Sequence, residues 1–250
     1  MNEQDLCQKR LLDLSRQADR KGIVLFSDFL NLNELNIYHQ SEKLFATRTE
    51  CFGGIPCAER QMIAFLPDAL YYEWTYPIAA LKVEPAYPKF AEKLGHRDLL
   101  GSVMTLGIDR SKIGDILMGD GCYYILCEEN VAPYFMEQLT KVRHTLVRLS
   151  VVSTDEISSH QEMIDKDGII TSNRLDSVIA CVYRLSRSQS LELIRAVRVF
   201  VNGKNIQTPT YICKPDDIIS VRGHGRFHFI SISGETNKGR LKIKYQLYKS

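Results

Sequence analysis

Apolar residues along this chain switch between a helical period and a strand period, and the switches divide it into segments. Over residues 1–75 the pattern predicts an N-terminal α/β unit. Its elements are a helix over about 4–21, a strand at 23–26, a helix near 32–39, and strands near 44–51 and 61–66. Gly53-Gly54 followed by Pro56 reads as a turn between the last two strands; no Gly-Lys-Ser/Thr follows, so no phosphate loop is indicated. Residues 76–152 predict strand 77–83, helix 96–106, strand 114–118, an Asp120-Gly121 hairpin turn, strand 122–127, helix 129–139 and strand 145–152. That order, βαββαβ, is ferredoxin-like. Residues 153–173 hold five acids, one lysine and little apolar periodicity, and are expected to form a linker or peripheral crossover.

Residues 174–250 form a third domain, so the fold class is α+β in three domains. Leu175, Val178, Ile179 and Val182 fall at i, i+3, i+4 and i+7, one apolar stripe on a helix, with Asn173 as its N-cap and Asp176 favouring its positive end. The Arg174-Leu175-Asp176 triplet resembles the catalytic aspartate motif of pseudouridine synthases, but it opens a basic module instead of lying in a large catalytic domain. Ser186-Arg187-Ser188-Gln189 is an S-x-x-Q capping box, so a second helix starts at Arg187, with Leu191, Ile194 and Val197 facing inward. Free amides at that start, together with the Arg187 guanidinium, suit a phosphate. Asn202-Gly203 is a type I′ hairpin signal that leaves Lys204 exposed. Asp216-Asp217 opens strand 218–221, which runs into Arg222-Gly223-His224-Gly225-Arg226. Two glycines bracketed by arginines let backbone approach a ligand while presenting planar cations. The last strand, 240–245, alternates strictly, with Arg240, Lys242 and Lys244 outward.

Charge sharpens this picture. The 250 residues carry a net charge of +2, yet residues 174–250 hold 14 Lys and Arg against 5 Asp and Glu, a net of +9, while the preceding 173 hold 18 against 25, a net of −7. A basic module on an acidic body is the footprint of a polyanion-binding appendage; a solvated face without a ligand is the alternative. Tyr123 and Tyr124 stand on a strand where an RNA-recognition sheet would carry aromatics, but adjacent residues point to opposite faces, so one at most could stack a base. The seven cysteines are odd in number and show no C-x-x-C, so neither a disulfide framework nor a zinc site is read; buried reduced thiols are expected, with no metal and no cofactor. The N-terminus lacks an apolar signal core and no stretch approaches a membrane span, so a soluble, cytoplasmic protein is expected.

Taken together, Arg174-Leu175-Asp176, Ser186-Arg187-Ser188-Gln189, Val201-Asn202-Gly203-Lys204 and Asp217-Ile218-Ile219-Ser220-Val221-Arg222-Gly223 resemble the S4 RNA-binding domain, with its αL-type RNA-binding motif. Upstream, Phe52-Gly53-Gly54, Ala58-Glu59-Arg60, His96-Arg97-Asp98-Leu99-Leu100-Gly101 and Lys112-Ile113-Gly114-Asp115-Ile116-Leu117 resemble the YlmH family of bacterial proteins. In that family an N-terminal domain and a ferredoxin-like RNA-binding domain precede a C-terminal S4 domain. The resemblance implies a non-enzymatic binder of structured RNA, rRNA or tRNA, associated with the large ribosomal subunit in rescue of obstructed translation and linked by name to cell division. It implies an RNA site at Arg174, Ser186, Arg187, Ser188, Gln189, Lys204, Arg222 and Arg226, with Arg184 and Arg198 beside it. Two other functions stay open: an RNA-modifying enzyme to which the S4 module delivers substrate, and an adaptor for cell-division proteins. No glycine-rich methyl-donor fingerprint supports the first, and no amphipathic membrane helix the second.

Overall fold

The computed structural model describes residues 3–56, 58–158 and 163–248, which leaves Cys57 outside the described residues. It divides into two compact units, one within residues 1–161 and the other within 162–250.

The first unit opens with α1 (Glu3–Lys21), β1 (Leu25–Phe26), α2 (Leu32–Ser41), β2 (Arg48–Phe52) and β3 (Met62–Leu66). The strands form an antiparallel sheet in the order β1-β3-β2. Asn31 caps α2 by accepting from the amides of Asn33 and Glu34, and the Glu34 carboxylate returns to the Asn31 amide at 2.8 Å. Leu11 of α1 and Leu35 and Tyr38 of α2 then bury against Ile63 and Phe65. The chain continues through β4 (Ile78–Pro85), α3 (His96–Met104), β5 (Ile113–Met118), β6 (Tyr123–Glu128), α4 (Ala132–Gln138), β7 (Lys141–Val142), β8 (Thr145–Val152) and α5 (Thr154–Ser158). The sheet order is β5-β6-β4-β8-β7, the ferredoxin-like arrangement with one short added strand. Leu99 and Val103 of α3 and Phe135 of α4 pack on Leu81, Val83, Ile113 and Ile125, which covers one face.

The other face is half covered from within the same unit. Tyr124, Ala80 and Leu126 bury against Ile55 and Ala58, from the turn between β2 and β3, and against Ile157 of α5. Gly54, at φ 93°, permits the approach: a Cβ there would stand 3.0 Å from Ile78 and 3.1 Å from Leu126. Arg60, after that turn, donates to the carbonyls of Phe29, Arg110 and Ile113, and Lys112 pairs with Asp28 at 2.8 Å and Glu128 at 3.0 Å. The sequence left open one tyrosine as a base-stacking platform. Both are buried instead, Tyr123 beneath the helices and Tyr124 beneath the turn, so neither serves.

The second unit comprises β9 (Met163–Ile170), α6 (Leu175–Tyr183), α7 (Arg187–Arg195), β10 (Val199–Val201), β11 (Lys204–Asn205), β12 (Asp217–Val221), β13 (Gly225–Glu235) and β14 (Leu241–Tyr248), with sheet order β11-β10-β12-β13-β14-β9. Its core joins the stripe Leu175, Val178, Ile179 and Val182 to Leu193 and Ile194 of α7 and to Val199, Ile219, Val221, Phe227, Phe229 and Ile243 of the sheet.

Several expectations are corrected here. Residues 163–170 are not linker: β9 pairs along β14 from Leu241↔Ile170 to Tyr248↔Met163. As a mostly exposed edge strand it carries no alternation to read, and its partner lies more than 70 residues onward. It also sets Asp167 opposite Lys244 and Asp165 opposite Gln246, so acids share the outward basic row of β14. α7 turns Ser190, Leu193 and Ile194 inward; it ends at Arg195, and Val197 beyond it is exposed at φ 59°. β13, an eleven-residue strand, was not marked by the sequence pattern; its register shifts twice against β14, which breaks the period-two signal.

Candidate nucleic-acid interface

The site is organised around a carboxylate. Asp176, in the first turn of α6, has no solvent exposure. Its Oδ1 accepts from Arg174 Nε at 3.1 Å, and its Oδ2 accepts from a terminal nitrogen of Arg174 at 3.2 Å and from Arg187 Nε at 3.0 Å. A buried carboxylate held by charge-assisted hydrogen bonds fixes the planes of its partners. Arg174 and Arg187 nonetheless keep side-chain exposures of 32% and 61%, so both cations reach solvent from one anchor. From the sequence alone Asp176 reads as a charge that favours the helix end. The signal for more was the guanidinium-carboxylate pairing latent in Arg174-Leu175-Asp176, together with a second arginine at the next helix start.

Arg174 itself occupies the N-cap of α6, with φ −71° and ψ 144° and no side-chain cap. Asn173, expected in that role, instead donates to the carbonyl of Cys213, whose amide bonds back to the Asn173 carbonyl at 2.9 Å. The chain is thereby pinned to the segment before β12, and the cap position passes to the next residue.

The start of α7 forms as the sequence predicts. Ser186 Oγ accepts from the Gln189 amide at 3.2 Å, and Gln189 Oε1 accepts from the Ser186 amide at 2.8 Å. Ser188 Oγ lies 2.9 Å from Ser186 Oγ. Ser186 and Gln189 thus hold the helix end in shape, leaving the amides of the first turn and the Arg187 guanidinium as its outward chemistry.

The β10-β11 hairpin is fixed from beneath. Asn202 and Gly203 have φ 50° and 78°, as a type I′ turn requires. Asn202 Nδ2 donates to Asp217 Oδ1 at 2.9 Å, and Asp217 Oδ2 accepts from the Tyr211 hydroxyl and the Lys214 amide. The Tyr211 carbonyl accepts from the Leu175 amide at 2.8 Å. This chain of bonds ties the hairpin turn, with exposed Lys204, to the start of α6, with Arg174. Burial and then Asp217 push the Tyr211 phenol up to about 12, so it stays a donor to Asp217.

A second group gathers at the opposite end of β10, whose three residues span roughly 10 Å. Arg198 and Arg222 exchange backbone bonds: the Arg222 amide reaches the Arg198 carbonyl at 2.9 Å, and the Arg198 guanidinium reaches the Arg222 carbonyl at 2.8 Å. Arg222 lies over the Phe200 ring at 5.1 Å, and Arg226 over Tyr248 at 4.2 Å. Gly223 sits at φ 84°, and a Cβ there would meet the Arg198 guanidinium at 2.6 Å. Arg184 follows α6 in the left-handed region at φ 53°, with its side chain exposed. The structure therefore brings Arg174, Arg187 and Asp176 into one cluster, connects it through Tyr211 and Asp217 to the Lys204 hairpin, and pairs Arg198 with Arg222 at the other end.

Among the described residues, no group of three or more His, Cys, Asp or Glu is placed to hold a metal, and no helix is long and apolar enough to cross a membrane. Cys122, Cys127 and Cys213 are buried; Cys7, Cys51 and Cys181 are partly so.

Residues 74–156 match the family model described as "Putative RNA-binding domain in YlmH", and residues 174–219 match the S4 domain. The ribosome-associated protein quality control protein P2 of Bacillus subtilis is 30% identical over 199 residues, 79% of this chain and 77% of that protein. Small ribosomal subunit protein uS4 of Magnetococcus marinus is 35% identical over 79 residues, 30% of this chain and 31% of that protein, so the likeness is to a part of it. The solved structure of the cell division protein YlmH from Streptococcus pneumoniae has the same fold over 63% of this chain and 96% of its own, with a TM-score of 0.51 at 20% identity.

Proposed function

The chain belongs to the YlmH family, and from that membership and the geometry above we propose that it is a non-catalytic, cytoplasmic protein that binds structured RNA through its C-terminal unit. The observation that carries this reading is the pair of solvent-reaching guanidinium groups, Arg174 and Arg187, anchored on one buried carboxylate beside a capped helix start. Fixed planar cations and free amides suit phosphate oxygens held at set positions, which favours a folded RNA over a flexible one. We assign Arg174, Arg187 and Ser188 to the centre of the contact, with Lys204, Arg222 and Arg226 extending it, Arg184 and Arg198 flanking it, and Ser186 and Gln189 maintaining its shape. We also propose the functional division as an N-terminal α/β domain over residues 1–75, a ferredoxin-like RNA-binding domain over 76–152 and an S4 RNA-binding domain over 174–250.

The Bacillus subtilis relative is named for ribosome-associated quality control, which supports the ribosome, and within it rRNA and tRNA of the large subunit, as the place where this chain works during rescue of obstructed translation. Asp176 argues against an RNA-modifying enzyme of the pseudouridine synthase type. Its carboxylate is fully buried and spent on two guanidinium groups, whereas a catalytic aspartate must meet its substrate. A link to cell-division partners follows only from the name of the pneumococcal relative.

Sedimentation tests the proposal. The chain is expected to travel with isolated large ribosomal subunits through a sucrose gradient, and the R187A/R222A variant to stay near the top. Wild-type protein that remains at the top, or a variant that sediments equally, would overturn it.

A further inference from the structure

The sheet of the C-terminal unit ends differently at its two edges. β11, at one edge, is two residues long. β9, at the other, pairs with β14 over all eight of its residues, without a register shift and without a proline. Among the described residues no strand pairs with the far side of β9, and no backbone-to-backbone hydrogen bond joins it to a segment other than β14. The strand is nonetheless held in place. Gly168 stands so close to α6 that a Cβ there would meet Cys181 Sγ at 2.7 Å, and Ile170 is buried. A long, fixed edge with a row of unpaired backbone donors and acceptors is a template for one more strand. β9 also lies outside both matched segments, 74–156 and 174–219, so neither match assigns it a role.

The side chains of β9 decide which strand fits. Lys166 and Gly168, opposite Tyr245 and Ile243, belong to the face that carries the core. Asp165, Asp167 and Ile169, opposite Gln246, Lys244 and Lys242, belong to the outer face, where Asp165 Oδ1 accepts from Gln246 at 2.9 Å. Ile164 and Ile169, 41% and 56% exposed, flank this charged centre. A second copy of the chain is a poor occupant. Edge strands related by a two-fold axis pair antiparallel with residues of the same face opposite each other. Centred on Lys166, that pairing sets Lys166 against itself and Asp165 against Asp167; centred on Asp167, it sets Asp167 against itself. These two registers cover most of the strand, and like charges directly opposite disfavour both. RNA is a poor occupant too, because its phosphates would meet Asp165 and Asp167 and it has no amide ladder to offer. A polypeptide with cations on the outer face and an acid opposite Lys166 satisfies every charge, and continues the alternation that runs from Lys244 of β14 to Asp167 of β9.

We propose that β9 is a docking edge for an extended, basic segment of another protein. The segment adds antiparallel, as every pair in this sheet is, and becomes its seventh strand. It carries Lys or Arg opposite Asp165 and Asp167, an acid opposite Lys166, and apolar residues opposite Met163 and Ile169. Backbone hydrogen bonds supply the affinity, and the alternating charges set register and partner. The edge uses none of the arginines of the RNA site, and so stands or falls separately from the function proposed above.

The test uses the full chain, labelled for amide NMR, and three end-blocked peptides. The first is Val-Thr-Lys-Glu-Lys-Thr-Val, and the second is its charge reversal, Val-Thr-Glu-Lys-Glu-Thr-Val. The third is the first peptide N-methylated at its third and fourth amides, one of which faces β9 in either phase of pairing. The first peptide is expected to shift the amides of residues 163–170 and to slow their exchange. The charge reversal is expected to bind about fivefold or more weakly, and the methylated peptide not at all. In D165K/D167K, checked for wild-type exchange protection in β14, the order of the first two peptides is expected to reverse; D165N/D167N, a milder change, is expected to erase the preference. No response of β9 to the first peptide, equal affinity for both charge patterns, undiminished binding of the methylated peptide, or an unchanged preference in both variants would each overturn the proposal. Sedimentation equilibrium of the chain alone is expected to give a monomer. A dimer with protected β9 amides, or β9 amides that respond to oligouridine as strongly as to the first peptide, would assign the edge to a different occupant and overturn it as well.

Discussion

Arg187 Nε lies 3.0 Å from Oδ2 of Asp176, so the first residue of the second helix in the C-terminal unit is locked to the first turn of the preceding helix through a carboxylate without solvent exposure. Removing that carboxylate takes the anchor from two cations that can still turn to solvent. D176A is expected to destabilise the unit by about 2 kcal/mol in urea unfolding, the order of the charge-assisted hydrogen bonds lost. D176N keeps the shape but loses the charge, and roughly tenfold weaker RNA binding is expected from it, read by filter binding at constant salt. Wild-type affinity in D176N would mean that anchoring of the arginines is not used in binding.

The capping box at Ser186 and Gln189 makes a smaller demand. S186A leaves the Gln189 amide without its acceptor, and about 1 kcal/mol of stability is expected to be lost. Equilibrium unfolding followed by circular dichroism measures this, and an unchanged midpoint would assign the cap no energetic weight.

Gly53 tests the closure of the first unit. A Cβ at that position would lie 2.3 Å from the backbone carbonyl oxygen of Arg60 and 2.4 Å from the Ala58 Cβ, and neither is the end of a flexible side chain. G53A must therefore displace the turn that covers Tyr124. Increased hydrogen exchange in β6 is the expected result, and wild-type protection there would show that the turn yields without opening the sheet.

Thiol chemistry gives a pH test. Burial pushes the Cys127 and Cys213 thiols up to about 12, helped at Cys213 by the carboxylates of Asp217 and Asp176. The folded chain keeps these protons where the unfolded chain releases them near 9, so their contribution to stability is intact below pH 9 and declines as pH rises from there toward 12. At pH 8 neither site is expected to react with iodoacetamide in the native protein, while both react in urea; peptide mapping by mass spectrometry reads the result. Rapid native labelling of either would contradict the burial.

Much of the C-terminal unit was legible because its signals are local. The apolar stripe from Leu175 to Val182, the Ser186-Gln189 box and the Asn202-Gly203 turn each involve residues within eight positions, where backbone chemistry leaves few choices. What was missed depends on distant pairing. β9 is a strand only because β14 supplies its hydrogen bonds, and Tyr124 is buried only because Ile55 and Ala58 reach across from another sheet's turn. At the candidate site the residue types were readable but the anchor was not: nothing in the spacing of Asp176 and Arg187, eleven positions apart, places them in contact until the two helices pack.

The salt dependence of binding to a structured RNA tests the central claim most directly. About five phosphate contacts from fixed cations give a slope near −4 in log K against log salt, and R187A/R222A is expected to bind more weakly with a slope shallower by roughly 1 to 2. Identical affinity and slope in the wild type and the double variant would contradict the account.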